Sequence, residues 1–323
     1  MTQLRSLIRQ RFFVVLVLLA VMIAVFAITQ ERFFTIDNLS ALLNSSSILW
    51  VTSMGLTFVM LAGGFDLSVG STLALTSIAM GWFMNDAGMS VGLAIPLTVI
   101  LGAVLGAVVN GIPIGKFQLS FLVVTLGSLT LFKGITLGWS QSKTTQINSK
   151  FLDDLAYGKQ WIIPNQVIVM ILVYLVMLYV QKFTFFGRDI YAIGGNADAA
   201  RLSGIKTSAT LITVYAICAG LAGLAGVIQD ARIGAASPQV GENLVFQATA
   251  AVLLGGTSFS GGIGGVSGTV VGVLFLATLQ NGLSVAGFPN FWQQIITGGI
   301  LIGAIALDYV QRKRNTQSRR KKS

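Results

Sequence analysis

Long apolar stretches, separated by short polar or glycine-rich segments, form the main pattern of the chain. A helix needs about 20 mostly apolar residues to cross the hydrocarbon layer of a bilayer. Ten stretches fit that length, at 12–30, 45–63, 67–84, 91–112, 119–140, 164–182, 210–229, 244–259, 263–285 and 291–309. The pattern therefore predicts an all-α fold, a polytopic transmembrane helical bundle with about ten spanning helices.

Basic residues mark both ends of the chain. Arg5, Arg9 and Arg11 precede the first apolar stretch, and seven of the 21 basic residues lie in the last dozen positions. Lys and Arg concentrate on the cytoplasmic side of membrane proteins, and an even number of spans returns the chain to its starting side. Both termini are therefore predicted to be cytoplasmic. Five tryptophans fall near predicted outer ends of spans, as interfacial anchors do: Trp50, Trp82, Trp139, Trp161 and Trp292.

The predicted organisation is one membrane domain with two tails. A cytoplasmic N-terminal tail covers 1–11, the transmembrane domain covers 12–309, and a basic cytoplasmic C-terminal tail covers 310–323. Two polar loops within the membrane domain are longer than the others. Residues 141–163 are expected outside and residues 183–209 inside.

The composition agrees with a membrane protein. Hydrophobic residues make up 54% of the chain and charged residues 10%, with a mean hydropathy of +0.79, whereas an ordinary soluble domain is about 25% charged. A chain this apolar cannot cover a surface that faces water, so membrane lipid is its expected surroundings. The net charge of +10 follows the basic flanks of the spans, and no nucleic-acid partner is expected.

Residues that carry covalent or metal chemistry are scarce. The sequence has no His and a single Cys, Cys218, which lies inside an apolar stretch. This excludes His-based catalysis, His-rich metal sites and intrachain disulfides. No catalytic residue, metal ligand or cofactor is predicted, and Cys218 is interpreted as a small packing residue.

The sequence also lacks an energy source of its own. A nucleotide-binding loop needs the pattern GxxxxGK[ST], and the nearest segment, Gly111 to Phe117, is one residue short and ends in Phe117 instead of a hydroxyl residue. Ion-coupled transporters use buried ionisable groups, and only Asp66 and Lys133 are predicted at membrane depth. The pattern indicates a neutral solute and a separate motor, so the protein is not predicted to be an enzyme and ATP hydrolysis is expected on another chain.

Asp66 stands in the segment GGFDLSVG (63–70), where glycines and a serine interrupt an apolar stretch. Two interpretations remain open. The carboxylate can cap the next helix through its backbone N–H groups, or it can contact the solute directly.

An internal repeat is visible at a constant offset of 171 residues. Asn110-Gly111, with aromatic residues and a glycine following, recurs as Asn281-Gly282. In the predicted topology the first copy lies at an inner end and the second at an outer end, as in transporters built from inverted repeats. Coincidence in a chain rich in Gly and Phe is the alternative.

The inner loop contains a charged, alanine-rich segment. Asp198 precedes Ala199 and Ala200, and Gly204 follows, so the segment is predicted to form a short helix capped by Asp198 and ended by Gly204. A short charged helix on an inner loop is typical of a docking element for a cytoplasmic partner. The alternative is an ordinary solvated loop.

Several of these segments together resemble ABC-importer permeases of the ribose/monosaccharide type, a group related to branched-chain amino-acid permeases. The resemblance covers nearly the whole chain and includes GGFDLSVG (63–70), FLVVTLGSL (121–129), FGRDIYAIGGNADAARLSGI (186–205), AAVLLGGTSFSGGIGGVSGT (250–269) and NGLSVAG (281–287). The segment from Asp198 to Gly204 also resembles the EAAxxxG signature of importer permeases, with Asp in place of Glu.

The resemblance implies a permease subunit of an ATP-binding cassette importer that moves a sugar, such as ribose or a related pentose, hexose or polyol, across the bacterial inner membrane. A separate ABC ATPase subunit would dock on the inner loop, with contacts from Asp198, Ala199, Ala200, Arg201 and Gly204. A periplasmic or extracellular sugar-binding protein would deliver the solute to outer loops at 141–163, 230–243 and 286–290. A second permease chain, identical or a close paralogue, would complete the pathway.

The resemblance does not identify the residues that contact the solute. Five polar or aromatic groups beside glycine-interrupted helices are our candidates for the translocation pathway: Phe65, Asp66, Asn110, Gln247 and Asn281. The identity of the sugar is not fixed by the sequence. The alternatives are a branched-chain amino-acid-type ABC permease and a self-sufficient secondary transporter, which would depend on an ion gradient.

Overall fold

The computed structural model describes residues 2–161 and 163–320, with side chains described for 13–161 and 163–306. Over these residues the chain forms fourteen α-helices and one π-helical turn. In chain order they are Thr2–Thr29 (α1), Ile36–Leu61 (α2), Val69–Asn85 (α3), Val91–Leu105 (α4), the π-helix Gly106–Gly111, Ile112–Gly115 (α5), Phe121–Ser140 (α6), Lys150–Tyr157 (α7), Asn165–Phe183 (α8), Phe185–Gly195 (α9), Ala197–Leu202 (α10), Thr207–Ile233 (α11), Leu244–Leu254 (α12), Val266–Val285 (α13) and Asn290–Arg320 (α14).

Strands are short and few in the described ranges. Thr145–Gln146 (β1) pairs antiparallel with Ala235–Ala236 (β4), and Lys159–Gln160 (β2) pairs with Ile163–Pro164 (β3). Helices hold 76% of the chain, which confirms the all-α prediction.

Among the described residues, six helical segments are long and apolar enough to cross a membrane by length and composition. They are Ile36–Leu61, Val91–Gly115, Phe121–Ser140, Asn165–Phe183, Thr207–Ile233 and Val266–Val285. Phe13–Thr29 and Leu244–Leu254 are shorter apolar helices. Each of the ten stretches predicted from the sequence contains a helix, but the number of about ten spanning helices stays a prediction.

Several helix ends differ from the ends of the predicted stretches. The stretch 244–259 contains a helix only to Leu254, because Gly256 follows in a left-handed conformation (φ +86°) that ends it. Helix α1 begins at Thr2 and so includes most of the predicted tail 1–11. Helix α14 continues to Arg320, inside the predicted tail 310–323. Met1 and residues 321–323 of these tails lie outside the described residues.

The start of α2 shows how local sequence sets a helix end. Thr35 is the N-cap residue, and its hydroxyl accepts a hydrogen bond of 3.3 Å from the backbone N–H of Asn38. Asp37 lies in the first turn, where a negative charge is favourable. Because α2 begins at Ile36, the tryptophan predicted at its outer end, Trp50, lies inside the helix. Its indole N–H donates to the carbonyl oxygen of Met170 at 3.1 Å, so Trp50 is a buried core residue and not an interfacial anchor.

Helices α2 and α11 form the centre of the bundle and pack directly on each other. A Cβ atom at Gly55 of α2 would lie 2.9 Å from the Cα atom of Cys218 in α11, so the two backbones approach as closely as small residues permit. Cys218 is fully buried, as predicted for a packing residue. Tyr215, in the first half of α11, contacts Gly64 just after the end of α2, so the two helices run antiparallel.

The order of helices repeats along the chain. Helix α11 starts at Thr207, 171 residues after the start of α2 at Ile36. In both halves a long central helix is followed by a shorter helix, α3 or α12, and then by two longer segments. The antiparallel packing of α2 on α11 agrees with an inverted relation between the halves, which supports the repeat over coincidence.

Candidate translocation and coupling sites

Asp66 lies in the break between α2 and α3, with its side chain fully buried. Its Oδ1 atom accepts hydrogen bonds from the backbone N–H of Ser68 at 2.8 Å and from the Ser68 hydroxyl at 2.6 Å. Ser68 itself is the N-cap residue of α3. The Asp66 carboxyl therefore closes a local turn just before α3. A helix cap would instead accept hydrogen bonds from N–H groups in the first turn of α3, and Asp66 does not.

Asn110 joins this turn from the π-helical segment. Its Nδ2 atom donates to the Ser68 hydroxyl oxygen at 2.9 Å and lies 3.4 Å from both carboxyl oxygens of Asp66. Within the part of the chain that the structure describes, no Lys or Arg pairs with Asp66. Since π-helical turns occur often at functional sites, the placement of Asn110 in one is notable. The cluster is closed to solvent in this conformation.

Phe65 is also buried, on the other side of the same break. Its ring centroid lies 5.5 Å from that of Phe259, and its carbonyl oxygen accepts a 3.3 Å hydrogen bond from the Tyr215 hydroxyl. Phe65 thereby joins the break after α2 to the loop between α12 and α13. Phe65, Asp66 and Asn110 thus lie in one region, as a pathway would require.

The two remaining pathway candidates lie elsewhere. Gln247 of α12 lines a small cavity of about 150 Å³, together with Ser45, Gln280 and several apolar side chains. Asn281 of α13 exchanges two hydrogen bonds with Asn38 of α2, at 3.0 and 2.9 Å. The structure does not bring either residue to Asp66, and the amide pair fastens α13 to the first turn of α2.

A second buried carboxyl was not among the candidates from the sequence. Asp230 of α11 is fully buried, and its Oδ1 atom accepts a hydrogen bond from the hydroxyl of Ser77 in α3. Its Oδ2 atom has no partner among the described residues. The apolar stretch was expected to end at 229, one residue before Asp230, whereas α11 continues to Ile233. The sequence signal that could have identified Asp230 is an acidic residue directly after a long apolar stretch.

The inner loop folds as two short helices. The side chain of Asn196 accepts a 3.0 Å hydrogen bond from the backbone N–H of Ala199, so Asn196, and not Asp198, caps α10. Asp198 instead forms a 3.1 Å ion pair with Arg201. Gly204 adopts a left-handed conformation (φ +84°) directly after the helix, which confirms that it ends there.

Helix α10 has one buried and one exposed face. Ala200 is buried, whereas Ala199 and the side chains of Asp198 and Arg201 are exposed. Leu202 is 87% exposed, the largest exposed fraction of any aliphatic side chain in the described part of the chain. Asp198, Arg201 and Leu202 are therefore available for contact with a partner.

Helix α9 is tied to the core through three backbone segments, here called the glycine junction: Leu61, Gly194 and Gly262. The backbone N–H of Gly262 donates to the carbonyl oxygen of Leu61 at 2.9 Å. A Cβ atom at Gly194 would lie 1.9 Å from that same oxygen, so only glycine fits. The end of α2, the end of α9 and the loop before α13 therefore meet at one point.

Tyr191 and Gln181 reinforce this contact. The Tyr191 hydroxyl donates to the carbonyl oxygen of Gly264 at 2.6 Å and accepts a hydrogen bond from Gln181. The side-chain oxygen of Gln181 accepts from the backbone N–H of Val266 at 3.0 Å. Burial raises the pKa of Tyr191, so its hydroxyl stays protonated as a donor. A movement of α9 would therefore be transmitted to the start of α13.

These features define the class of the protein. Several helices long and apolar enough to span a membrane, packed closely through glycines and interrupted by a polar break, are the features of a polytopic membrane protein.

Comparison with known proteins gives the family. The family described as "Branched-chain amino acid transport system / permease component" matches residues 38–305, and this chain belongs to it. It is 36% identical over 300 residues to the ribose import permease protein of Escherichia coli (strain K12), covering 91% of this chain and 92% of that one. It is 38% identical over 297 residues to the ribose import permease protein of Bacillus subtilis (strain 168), covering 90% of each.

A third relative is named for a hexose. The D-allose transport system permease protein of Escherichia coli (strain K12) is 36% identical over 292 residues, which cover 90% of this chain and 89% of that one. No solved structure matches this chain. Family membership and the apolar helices place the protein in the inner membrane as a multi-pass protein.

Proposed function

We propose that this chain is the membrane-spanning permease subunit of an ABC importer and that it moves a monosaccharide into the cell. The observation that carries this proposal is similarity over about nine-tenths of the chain to permeases named for ribose and allose. A xylose transport system permease protein of Haemophilus influenzae is 31% identical over 368 residues. The shared solute class is a small neutral polyhydroxylated molecule.

The proposed topology has about ten spans with both termini in the cytoplasm. Its support is the coincidence of the ten apolar stretches with helices and the concentration of basic residues at both ends. In this topology α9 and α10 lie on the cytoplasmic side, and the loop containing α7 lies outside.

In the proposed mechanism, α10 docks on a separate ATPase subunit that hydrolyses ATP. The exposed side chains of Asp198, Arg201 and Leu202 provide the contact, and Gly204 ends the helix in the required turn. When the ATPase closes, α9 moves with α10. The glycine junction passes that movement to the end of α2 and the start of α13, so the bundle alternates between two discrete arrangements.

The site around Asp66 has a structural part in this mechanism. Asp66 and Asn110 hold the break after α2 against the π-helical segment, next to Phe65 and the loop before α13. We assign to this cluster the positioning of the break during the cycle. Gln247 and Asn281 remain proposed pathway residues that would act separately from it.

Two further partners belong to the proposal. An external sugar-binding protein would deliver the solute to the outer loops, and a second permease chain would complete the pathway.

The test is purification of this chain from its native membrane in mild detergent, identification of the chains that purify with it, and reconstitution of the complex in liposomes. We expect a stoichiometric ATPase and ATP-dependent uptake of labelled D-ribose, D-xylose or D-allose without an ion gradient. Uptake that needs an ion gradient and no ATPase would support a secondary transporter instead. Uptake of leucine with no sugar uptake would support the amino-acid alternative.

A further inference from the structure

Two cavities lie between helix α3, helix α6 and the segment from 236 to 246. The first, here called the tryptophan cavity, has a volume of about 320 Å³ and is lined by Trp82, Trp139, Asp86 and Lys143. The second, here called the ion-pair cavity, has a volume of about 370 Å³. Its polar lining residues are Ser71, Lys133, Glu242 and Asn243.

The two cavities follow one another along the same helices. Ser71 and Trp82 both belong to α3, eleven residues apart, which corresponds to about 16 Å along a helix. Lys133 and Trp139 both belong to α6, six residues apart, which corresponds to about 9 Å. The tryptophan cavity lies at the ends of both helices, and the ion-pair cavity lies deeper along them.

The ion pair in the deeper cavity is exposed on the protein surface. Lys133 Nζ lies 3.3 Å from Glu242 Oε1, and both side chains are more than half exposed. Lys133 lies seven residues before the end of α6, about 10 Å along the helix. A charge facing hydrocarbon costs about 2.5–3.5 kcal/mol or more. The cost favours a cavity wall that faces water or another protein over one that faces lipid.

Glu242 and Asn243, two of the polar lining residues, belong to the turn that directly precedes α12. Gly241 packs against Gly70, where a Cβ atom at Gly70 would lie 2.4 Å from the Gly241 carbonyl oxygen, and both Gly241 and Asn243 are left-handed. Glu242 and Asn243 therefore project from a turn into the cavity and not from a regular helix. Discontinuous helices of this kind supply binding groups in transporters.

We propose that the ion-pair cavity binds the monosaccharide during translocation, with the tryptophan cavity as its outer approach; this inference rests on the function proposed above. The Glu242 carboxylate accepts hydrogen bonds from sugar hydroxyls, Lys133 donates to them, and the amide of Asn243 does both. Phe246 provides an apolar surface for the C–H face of the ring. The cavity volume falls within the range of small-molecule sites. In the outer approach, the Trp82 and Trp139 rings lie 6.1 Å apart beside polar side chains.

The proposal is tested in liposomes containing the complete complex, with labelled D-ribose, D-xylose and D-allose as probes. Glu242→Gln and Lys133→Gln each remove one charge, and a double variant carries both changes. Asn243→Asp replaces the amide donor by an acceptor and adds a negative charge, at a position whose left-handed backbone suits both residues. Lys116→Gln, an exposed residue directly after α5 that lies outside both cavities and outside the proposed docking loops, is the matched control.

We expect both single variants to lower sugar flux by about tenfold to a hundredfold, the loss for a hydrogen bond to a charged group. The double variant should be at least as low, and Asn243→Asp should change the ratio of fluxes among the three sugars. ATP hydrolysis stimulated by the binding protein should stay within about twofold of the control.

Three results would overturn the proposal. Recovery of flux in the double variant would show that the ion pair has only a structural role. A structural pair is destabilised most when one charge is removed and the other is left unpaired. Loss of stimulated ATP hydrolysis together with flux would assign the residues to docking or folding. Unchanged flux in all variants would exclude a solute site. If the unaltered complex moves none of the three sugars, the proposed function itself fails, which separates the two outcomes.

Discussion

The phenolic hydroxyl of Tyr191 in α9 donates a 2.6 Å hydrogen bond to the carbonyl oxygen of Gly264, 73 positions further along the chain. This bond joins the inner loop to the segment that leads into α13. The side-chain amide of Gln181 in α8 donates to the Tyr191 hydroxyl and accepts a hydrogen bond from the backbone N–H of Val266. The inner loop is therefore fixed to the core by directional hydrogen bonds as well as by packing.

Tyr191→Phe removes this bond and keeps the ring. A single hydrogen bond contributes about 0.5–1.5 kcal/mol, so the coupling between ATP hydrolysis and transport should weaken by a few-fold. The measurement is the number of sugar molecules moved per ATP hydrolysed in liposomes. Tyr179→Phe in α8, whose ring is largely exposed beside Phe183, is the control and should leave the ratio unchanged. An unaltered ratio in Tyr191→Phe would mean that movement passes by another route.

The glycine junction allows a matched pair of substitutions. Gly194→Ala places a Cβ atom 1.9 Å from the carbonyl oxygen of Leu61, whereas the neighbouring Gly195→Ala meets nothing within 4 Å. Overpacking of this kind costs about 1–3 kcal/mol. We expect Gly194→Ala to lower both the melting temperature of the purified chain and transport. Gly195→Ala should resemble the unaltered protein, and equal behaviour of the two variants would contradict the observed close approach.

Leu202 tests whether α10 is a docking helix. Leu202→Glu places a charge where an apolar side chain is 87% exposed, so the isolated chain should keep its stability. Co-purification of the ATPase should fall by about tenfold or more, as for the loss of an apolar anchor at an interface. Leu202→Met keeps the apolar length and should retain binding. Normal binding by Leu202→Glu would show that the ATPase contacts another part of the inner loop.

Much of the helical architecture could be predicted from the sequence, because long apolar stretches are a strong local signal. Gly204 was also predictable as a helix end, since a glycine in that position needs only the local backbone. The cap of α10 was assigned to Asp198, whereas Asn196 takes it. Both residue types cap helices well, and the choice depends on where the preceding helix ends.

The sites were less predictable because they depend on tertiary contacts. Asp66 and Asn110 are 44 positions apart, and only packing of the π-helical segment on the break after α2 brings them together. The pairing of Lys133 with Glu242 spans 109 positions. The glycine junction and the amide pair of Asn38 and Asn281 likewise join distant segments. A reading of residue patterns finds polar groups in apolar surroundings but does not find their partners.

Asp230 offers a test of a buried acid within the bundle. Its Oδ1 atom binds the Ser77 hydroxyl, and its Oδ2 atom has no partner among the described residues. A buried charged carboxylate without a counter-ion is strongly unfavourable, so the neutral isostere in Asp230→Asn should change the free energy of unfolding by less than about 1 kcal/mol. Asp230→Ala removes the acceptor of Ser77 and leaves a void, which should destabilise the chain by about 1–3 kcal/mol. Thermal unfolding of the two purified variants compares these effects. If Asp230→Asn instead abolishes sugar uptake while stability is kept, the carboxyl takes part in transport and is not merely a polar group that joins α3 to α11.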